Sequence, residues 1–90
     1  METIYKYPIN PITVLQLPKD AQPLCVQMQN SAPYMWVRLD NEKPTEDRIF
    51  HCIGTGHSME NYSTSRLDYI STFQVDNLVF HVFEQVYNPN

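Results

Sequence analysis

The stretch "PLCVQMQNSAPYMWVRLD", residues 23–40, has the pattern of two short β-strands joined by a tight turn at "NSA". Apolar side chains alternate with polar ones along residues 23–30, and aliphatic side chains alternate with aromatic and charged ones along residues 33–40. Successive residues of a strand point to opposite faces of a sheet, so this alternation predicts one core face and one outer face. The predicted core residues are Leu24, Val26, Met28, Met35, Val37 and Leu39. The predicted outer face of the second strand carries Tyr34, Trp36 and Arg38, a composition common in interfaces and stacking surfaces. The alternative is that a loop or the N-terminal strand covers them, or that both faces of this strand belong to a core.

The rest of the chain has the same character. Runs rich in β-branched and aromatic residues, which favour strands, occupy residues 2–8, 12–18, 47–53, 68–75 and 77–86. A helical period is absent, apart from one short turn expected within residues 58–65. The sequence therefore predicts an all-β protein with a single domain over residues 1–90. Its expected architecture is a small antiparallel sandwich or a partly open barrel of about seven strands.

Composition excludes several classes of function. The chain has 90 residues, a net charge of -4 and no cluster of Lys and Arg, so binding to duplex nucleic acid is not expected. It has no apolar run near the roughly 20 residues that cross a bilayer, and no leader-like beginning, which predicts a soluble cytosolic protein without membrane contact. Cys25 and Cys52 are isolated and predict two reduced, half-buried thiols rather than a disulfide scaffold or a zinc site, and the sequence leaves open whether they lie close together.

The stretch "HCIGTGHSM", residues 51–59, holds both glycines of the chain. Glycine lets a backbone approach a ligand closely, and successive N–H groups in such a turn can bind an anion. A candidate ligand site therefore comprises Gly54, Thr55, Gly56, His57 and Ser58, with hydroxyl and imidazole donors beside the glycines. The alternative is a bulge that ends the strand and redirects the chain into a long loop.

His51 and His81 each lie in an apolar strand, where a single histidine is usually a hydrogen-bonded structural residue. Paired strands would allow the two imidazoles to meet, but spacing supplies no third ligand, so a metal site is not expected. Catalytic motifs with a nucleophile or a metal-binding spacing are absent from the sequence. The sequence therefore predicts a protein that is not an enzyme and that uses no cofactor.

Five segments occur in a characteristic order: "IYKYP" (4–8), a strand with a central Trp36, "IGTGH" (53–57), "YISTFQ" (69–74) and "LVFHVFE" (78–84). This pattern, over nearly the whole chain, resembles a family of small uncharacterised proteins encoded by bacteriophages and prophages. The resemblance implies a viral protein that acts in the cytoplasm of a bacterial host. Small acidic phage proteins of this kind often oppose host defence, and one class consists of homo-oligomeric sponges that sequester cyclic nucleotide immune signals.

In a sponge of that class, the resemblance implies a definite role for each candidate residue. Tyr34 and Trp36 would stack on a base, Lys6 and Arg38 would supply positive charge, and the loop at residues 54–58 would hold phosphate. Two other functions stay open: an inhibitor that binds a host protein through Tyr34 and Trp36, and a minor virion or assembly component. A concave pocket favours the sponge, a flat apolar patch favours the inhibitor, and long ring-forming contacts favour the virion component.

Overall fold

A computed structural model describes residues 1–86, so the last four residues of the predicted domain lie outside the described part. Residues 1–86 form the strands β1 (Glu2–Pro8), β2 (Ile12–Pro18), β3 (Gln22–Gln29), β4 (Ala32–Asp40), β5 (Thr45–Gly54), β6 (Arg66–Val75) and β7 (Leu78–Val86), as many as the sequence predicts. A 3-10 turn, Glu60–Tyr62, falls within the predicted helical turn. No helix formed by residues 1–86 is long and apolar enough to cross a membrane.

The strands form two open antiparallel sheets, which confirms the predicted all-β class and favours a sandwich over a closed barrel. The three-stranded sheet has the order β1-β4-β3, and the four-stranded sheet has the order β2-β5-β7-β6. Asn30 and Ser31 join β3 to β4 with φ angles of 52° and 67°. Two consecutive positive φ angles match the twist of the flanking strands, so the predicted hairpin at this position is confirmed.

The core lies between the inner faces of the two sheets. Met35, Val37 and Leu39 of β4 are almost completely buried, as the alternation predicts, and Val26 joins them with 1% exposure. The four-stranded sheet contributes Leu17, Phe50, Phe73 and Val82 to the same cluster. Met28 is partly buried and packs against this cluster.

Leu24 is the one predicted core residue that the structure places outside. Pro23 lies opposite Val37 and Cys25 lies opposite Trp36, so Leu24 is the extra residue of a β-bulge and has no partner across the strand pair. Its side chain is 41% exposed. A bulge inserts one residue into the alternation of inward and outward side chains. A strict period of two therefore predicts the wrong side for Leu24 and the correct side from Cys25 onward.

One end of the interior is closed by a polar contact. The Arg48 guanidinium donates to both carboxylate oxygens of Glu84 at 2.5 and 2.6 Å and to the Ala21 carbonyl oxygen at 2.5 Å. The hydrogen bond to Glu84 raises the pKa of Arg48 above its ordinary value. Both side chains are largely removed from water at this edge of the core. Because they pair bidentately, neither charge is left without an opposite charge.

Candidate functional site

The nine predicted site residues fall into two groups on different sheets. Lys6, Tyr34, Trp36 and Arg38 lie on the outer face of the three-stranded sheet, whereas Gly54 ends β5 of the four-stranded sheet and residues 55–58 follow it. The outer faces of two packed sheets are directed away from their common core. A ligand bound to one copy of the chain therefore reaches only one of the two groups.

We call the outer face of the three-stranded sheet the aromatic face. Register places Lys6 and Cys25 on either side of Trp36, and Pro8 and Gln27 on either side of Tyr34. Val37, the next residue along β4, is completely buried in the core between the two sheets. The predicted outward direction of Trp36, opposite to Val37, is therefore confirmed.

The side chains of the aromatic face hold one another in position. The Tyr34 and Trp36 rings make an edge-to-face contact with centroids 6.4 Å apart. The Lys6 ammonium lies 4.7 Å from the centre of the Tyr34 ring and donates to Gln29 Oε1 at 2.7 Å. A cation over an aromatic face is attracted by the ring quadrupole, so Lys6 and Tyr34 restrict each other's motion.

The margin of the aromatic face is exposed and partly charged. Arg38 forms an ion pair with Glu2, and both side chains are more than half exposed. Ile4, on the same face of β1, is 54% exposed, and Leu24 at the bulge is 41% exposed. Apolar surface therefore continues on both sides of the half-buried Trp36.

Two surface cavities adjoin the aromatic face at Arg38, which is the one predicted site residue that lines either of them. One of about 440 Å³ lies on the face itself, is widely open to solvent and is lined by Glu2, Thr3, Ile4 and Arg38. The cavity of about 200 Å³ beside Arg38 is lined mainly by charged residues at the margin, including Lys19, Asp20 and Lys43. Tyr34 and Trp36 therefore present their surface on the open sheet rather than inside these cavities.

The glycine loop makes internal contacts that explain both glycines. Gly56 has a φ of +87°, which L side chains rarely adopt, and a Cβ there would meet nothing within 4 Å. A Cβ on Gly54 would lie 2.9 Å from His57 Cε1, so the missing side chain makes room for the imidazole ring. The N–H of Thr55 donates to Val79 O at 2.9 Å, and that of His57 donates to Gly54 O at 3.0 Å. Both N–H groups are therefore engaged within the protein, and anion binding at this loop stays a prediction.

Residues 55–65, which we call the covering loop, fold back over the outer face of the four-stranded sheet. His51 and Ile53 point outward from β5 and are nevertheless only 6% and 7% exposed. The Tyr62 ring packs edge-on against His51 with centroids 4.8 Å apart, and its hydroxyl lies 3.1 Å from His51 Nδ1. His51 Nε2 lies 2.7 Å from Gln85 Oε1, which only accepts, so Nε2 carries the proton and Nδ1 accepts from Tyr62.

The second strand histidine is also held by neighbours. The two ring nitrogens of His81 lie 2.8 Å from Thr55 Oγ1 and 3.0 Å from Thr72 Oγ1. The Tyr69 hydroxyl extends this chain with a 2.7 Å contact to Thr72. Among residues 1–86, no group of three or more His, Cys, Asp or Glu side chains is arranged to hold a metal ion. His51 and His81 are hydrogen-bonded to polar side chains, which is the structural role that their sequence context indicates.

The two cysteines occupy different environments. Both thiols are free; Cys25 lies beside Trp36 on the aromatic face, and Cys52 packs against the core. Burial raises the pKa of the Cys52 thiol. The sequence did not predict that Cys25 and Ile4 belong to the aromatic face or that Tyr62 packs on His51. Cross-strand register and loop packing determine these positions, and neither leaves a signal in local periodicity.

The fold and the two outer faces define a class: a small two-sheet antiparallel β protein with one open aromatic face and a second outer face that its own loop covers only around His51. The chain belongs to the family described as Domain of unknown function (DUF7352), whose model matches residues 1–90. No curated protein and no solved structure matches the chain.

Proposed function

We propose that this chain is a non-enzymatic, phage-type protein that binds a protein of the bacterial host through the aromatic face, in the host cytoplasm. The observation that carries the proposal is an open sheet face that presents the chain's only tryptophan, with Tyr34, Lys6 and Arg38 around it. Neither Trp36 nor Tyr34 lines the cavities beside Arg38, and open surfaces of this composition are typical of protein interfaces rather than of small-molecule sites, which are concave.

Residue chemistry supports this use of the face. Trp, Tyr and Arg are the residues most enriched among interface positions that dominate binding energy. Contacts with Lys6 and Trp36 already restrict the Tyr34 ring, so less side-chain entropy is lost when a partner binds. The face is therefore partly organised for binding in the free protein.

Charge indicates what kind of partner fits. The chain has a net charge of -4, yet the aromatic face carries the cations Lys6 and Arg38. The exposed ion pair between Arg38 and Glu2 is of a type that contributes little to stability, so a partner's carboxylate can replace Glu2 at small cost. The expected partner surface is flat and apolar, with acidic residues at its margin.

A second candidate is the sequestration of a cyclic nucleotide or oligonucleotide immune signal. The observation in its favour is that four of the nine residues assigned to that role, two aromatic and two basic, share one face. Lys6 already lies over the Tyr34 ring, which leaves Trp36 as the ring for a base to stack on. This function requires a second copy or a rearrangement to enclose the ligand, because the loop at residues 54–58 belongs to the other sheet.

The test compares three baits in quantitative affinity purification from host lysate: the parent protein, Trp36→Ala and Tyr69→Ala. Tyr69 is an exposed aromatic residue on β6 of the other sheet and serves as the matched control. A host protein retained by the parent and by Tyr69→Ala, lost with Trp36→Ala, and then bound by the purified parent in calorimetry would support the proposal. Equal retention by all three baits would contradict it.

Thermal shift measurements with a panel of cyclic di- and oligonucleotides distinguish the two candidates. A ligand at about 100 times its Kd stabilises a folded protein by about 2.7 kcal/mol, which moves the Tm of a domain this small by several degrees. A shift that appears with the parent protein and disappears with Trp36→Ala would place nucleotide sequestration first. An unchanged Tm across the panel is the expected result.

A further inference from the structure

The free edge of β2 differs from the three other sheet edges. β2 pairs on one side only, with β5, and its segment Ile12–Leu17 has no charged residue, no proline and no bulge. Proline residues stand immediately outside this segment, at Pro11 and Pro18. An edge strand without such features is a template for pairing with another strand.

The other edges carry the features that block such pairing. β1 has Glu2 and Lys6, and β3 has Pro23 next to its bulge. β6 has Arg66 and Asp68, and its register shifts between residues 69 and 71. Charges, prolines and bulges are the usual means by which proteins protect edge strands, and β2 lacks all three between its flanking prolines.

Hydrogen bonding on the paired side of β2 shows which groups face outward. Cys52 N donates to Pro11 O, and Lys19 N donates to Pro44 O, so the odd-numbered residues face β5. In an antiparallel ladder alternate residues bond to opposite sides. The N–H and C=O groups of Ile12, Val14 and Gln16 therefore point toward the free edge.

We propose that a second copy of this chain pairs with this edge, antiparallel and about a two-fold axis at Val14. Val14 then lies opposite Val14 of the second copy, and Ile12 lies opposite Gln16. All three outward-facing residues of each strand take part, which gives about six interstrand hydrogen bonds. Pro18 has no N–H to donate on this side, so the ladder ends there, and other registers lose bonds.

Side chains and charge favour the same occupant. Ile12 and Val14 are 62% and 59% exposed, and Ile49 beside Val14 is 36% exposed. Their burial removes apolar surface from water on both copies at once, as a two-fold interface requires. Each copy carries a net charge of -4, and the uncharged edge lets two copies meet without bringing like charges together.

The buried area sets the strength of the dimer. Pairing of two short edges falls at the low end of interface sizes, below about 1,200 Å² in total. The dimer should therefore form reversibly as concentration rises. It goes beyond the proposed function because β2 belongs to the other sheet and leaves the aromatic face of each copy free.

Sedimentation over a wide concentration range tests the proposal. The parent protein should move from its monomer mass of 10.6 kDa toward twice that mass. Val14→Lys and Val14→Glu each place two like charges together on the axis and should weaken the dimer by about 100-fold or more. An equimolar mixture of the two variants places Lys opposite Glu and should restore dimerisation, which a merely misfolded variant would not do.

The controls are Gln74→Lys, exposed on β6 at the opposite edge of the same sheet, and Ile4→Lys on the aromatic face. Both should leave the dimer unchanged. A parent protein that stays at 10.6 kDa at every concentration would overturn the proposal. So would a mixture of the Val14 variants that stays monomeric, or a dimer that Ile4→Lys dissociates, since the latter would move the contact to the aromatic face.

Discussion

Both outer faces of this protein carry aromatic and apolar side chains that point away from the core, but the two faces differ in how these side chains are contacted by the rest of the chain. On the three-stranded sheet, Trp36 and Tyr34 lie on an open surface, with cations of the same sheet beside them. On the four-stranded sheet, His51 also points outward and Tyr62 of the covering loop packs against it, while Ile12, Val14 and Ile49 of the same outer face stay exposed. The polar groups around His51 are therefore paired within the chain, whereas the exposed part of Trp36 and Tyr34 is available to a partner.

The comparison distinguishes outward-facing residues that stabilise the fold from outward-facing residues that are available to bind a partner. Tyr62 and Gln85 satisfy both ring nitrogens of His51, so the polar groups there are already paired. Trp36 is already half-buried by its neighbours in the sheet, so a partner can bury only the surface that remains exposed. Our proposal assigns partner binding to this surface.

The largest expected difference is between His51→Ala and Trp36→Ala. His51→Ala leaves a cavity and removes the partner of Tyr62 and Gln85, so it should lower the unfolding free energy by about 2–4 kcal/mol. Trp36→Ala removes cross-strand contacts on an open face and should cost about 1 kcal/mol. Chemical denaturation measures both values. An equal loss in the two variants would mean that the aromatic face is part of the stabilising core.

The next largest difference in stability is expected between substitutions of the two glycines. Gly56→Ala forces a side chain into a φ of +87° and should destabilise the fold by about 1–2 kcal/mol. Gly54→Ala displaces only the exposed His57 ring and should cost about 0.5 kcal/mol or less, with no further cost in a His57→Ala background. Thermal unfolding of the single and double variants checks this order. A phosphate-induced rise in Tm that His57→Ala abolishes would instead assign the loop to an anion.

A smaller effect compares one hydroxyl on each face. Tyr62→Phe removes the donor to His51 Nδ1 and should lower the unfolding free energy by about 1 kcal/mol, or roughly 4–8 °C in Tm. Tyr34→Phe removes a hydroxyl on the open face, where water is available, and should leave Tm nearly unchanged. A larger loss for Tyr34→Phe would show that the aromatic face is internally bonded like the covered one.

Thiol labelling should affect stability least, and its rate reports how accessible each of the two cysteines is. Burial raises the pKa of Cys52, so its reactive thiolate forms only at higher pH than in an ordinary cysteine. Cys25 on the aromatic face should therefore be alkylated first, and the order is read by peptide mass spectrometry. A bulky label on Cys25 should block partner binding with the fold intact, whereas faster labelling of Cys52 would contradict the assignment of the two faces.

Local alternation was sufficient for the strands, the β3–β4 hairpin and most of the core, since side-chain direction in a strand depends only on position along it. Met35, Val37 and Leu39 are buried for that reason, and Trp36 points outward for the same reason. The alternation failed at Leu24, where the bulge adds a residue that a period of two does not represent. Bulges depend on the partner strand, so one strand's sequence is insufficient to locate them.

The candidate site divides in the same way. Alternation along β4 was enough to predict that Trp36, Tyr34 and Arg38 share a face, because residues two apart on a strand must do so. That Lys6 and Cys25 join them and that the loop at residues 54–58 does not follows only from strand order and loop packing, because these depend on contacts far apart in sequence. The same long-range packing places Tyr62 over His51 on the other sheet.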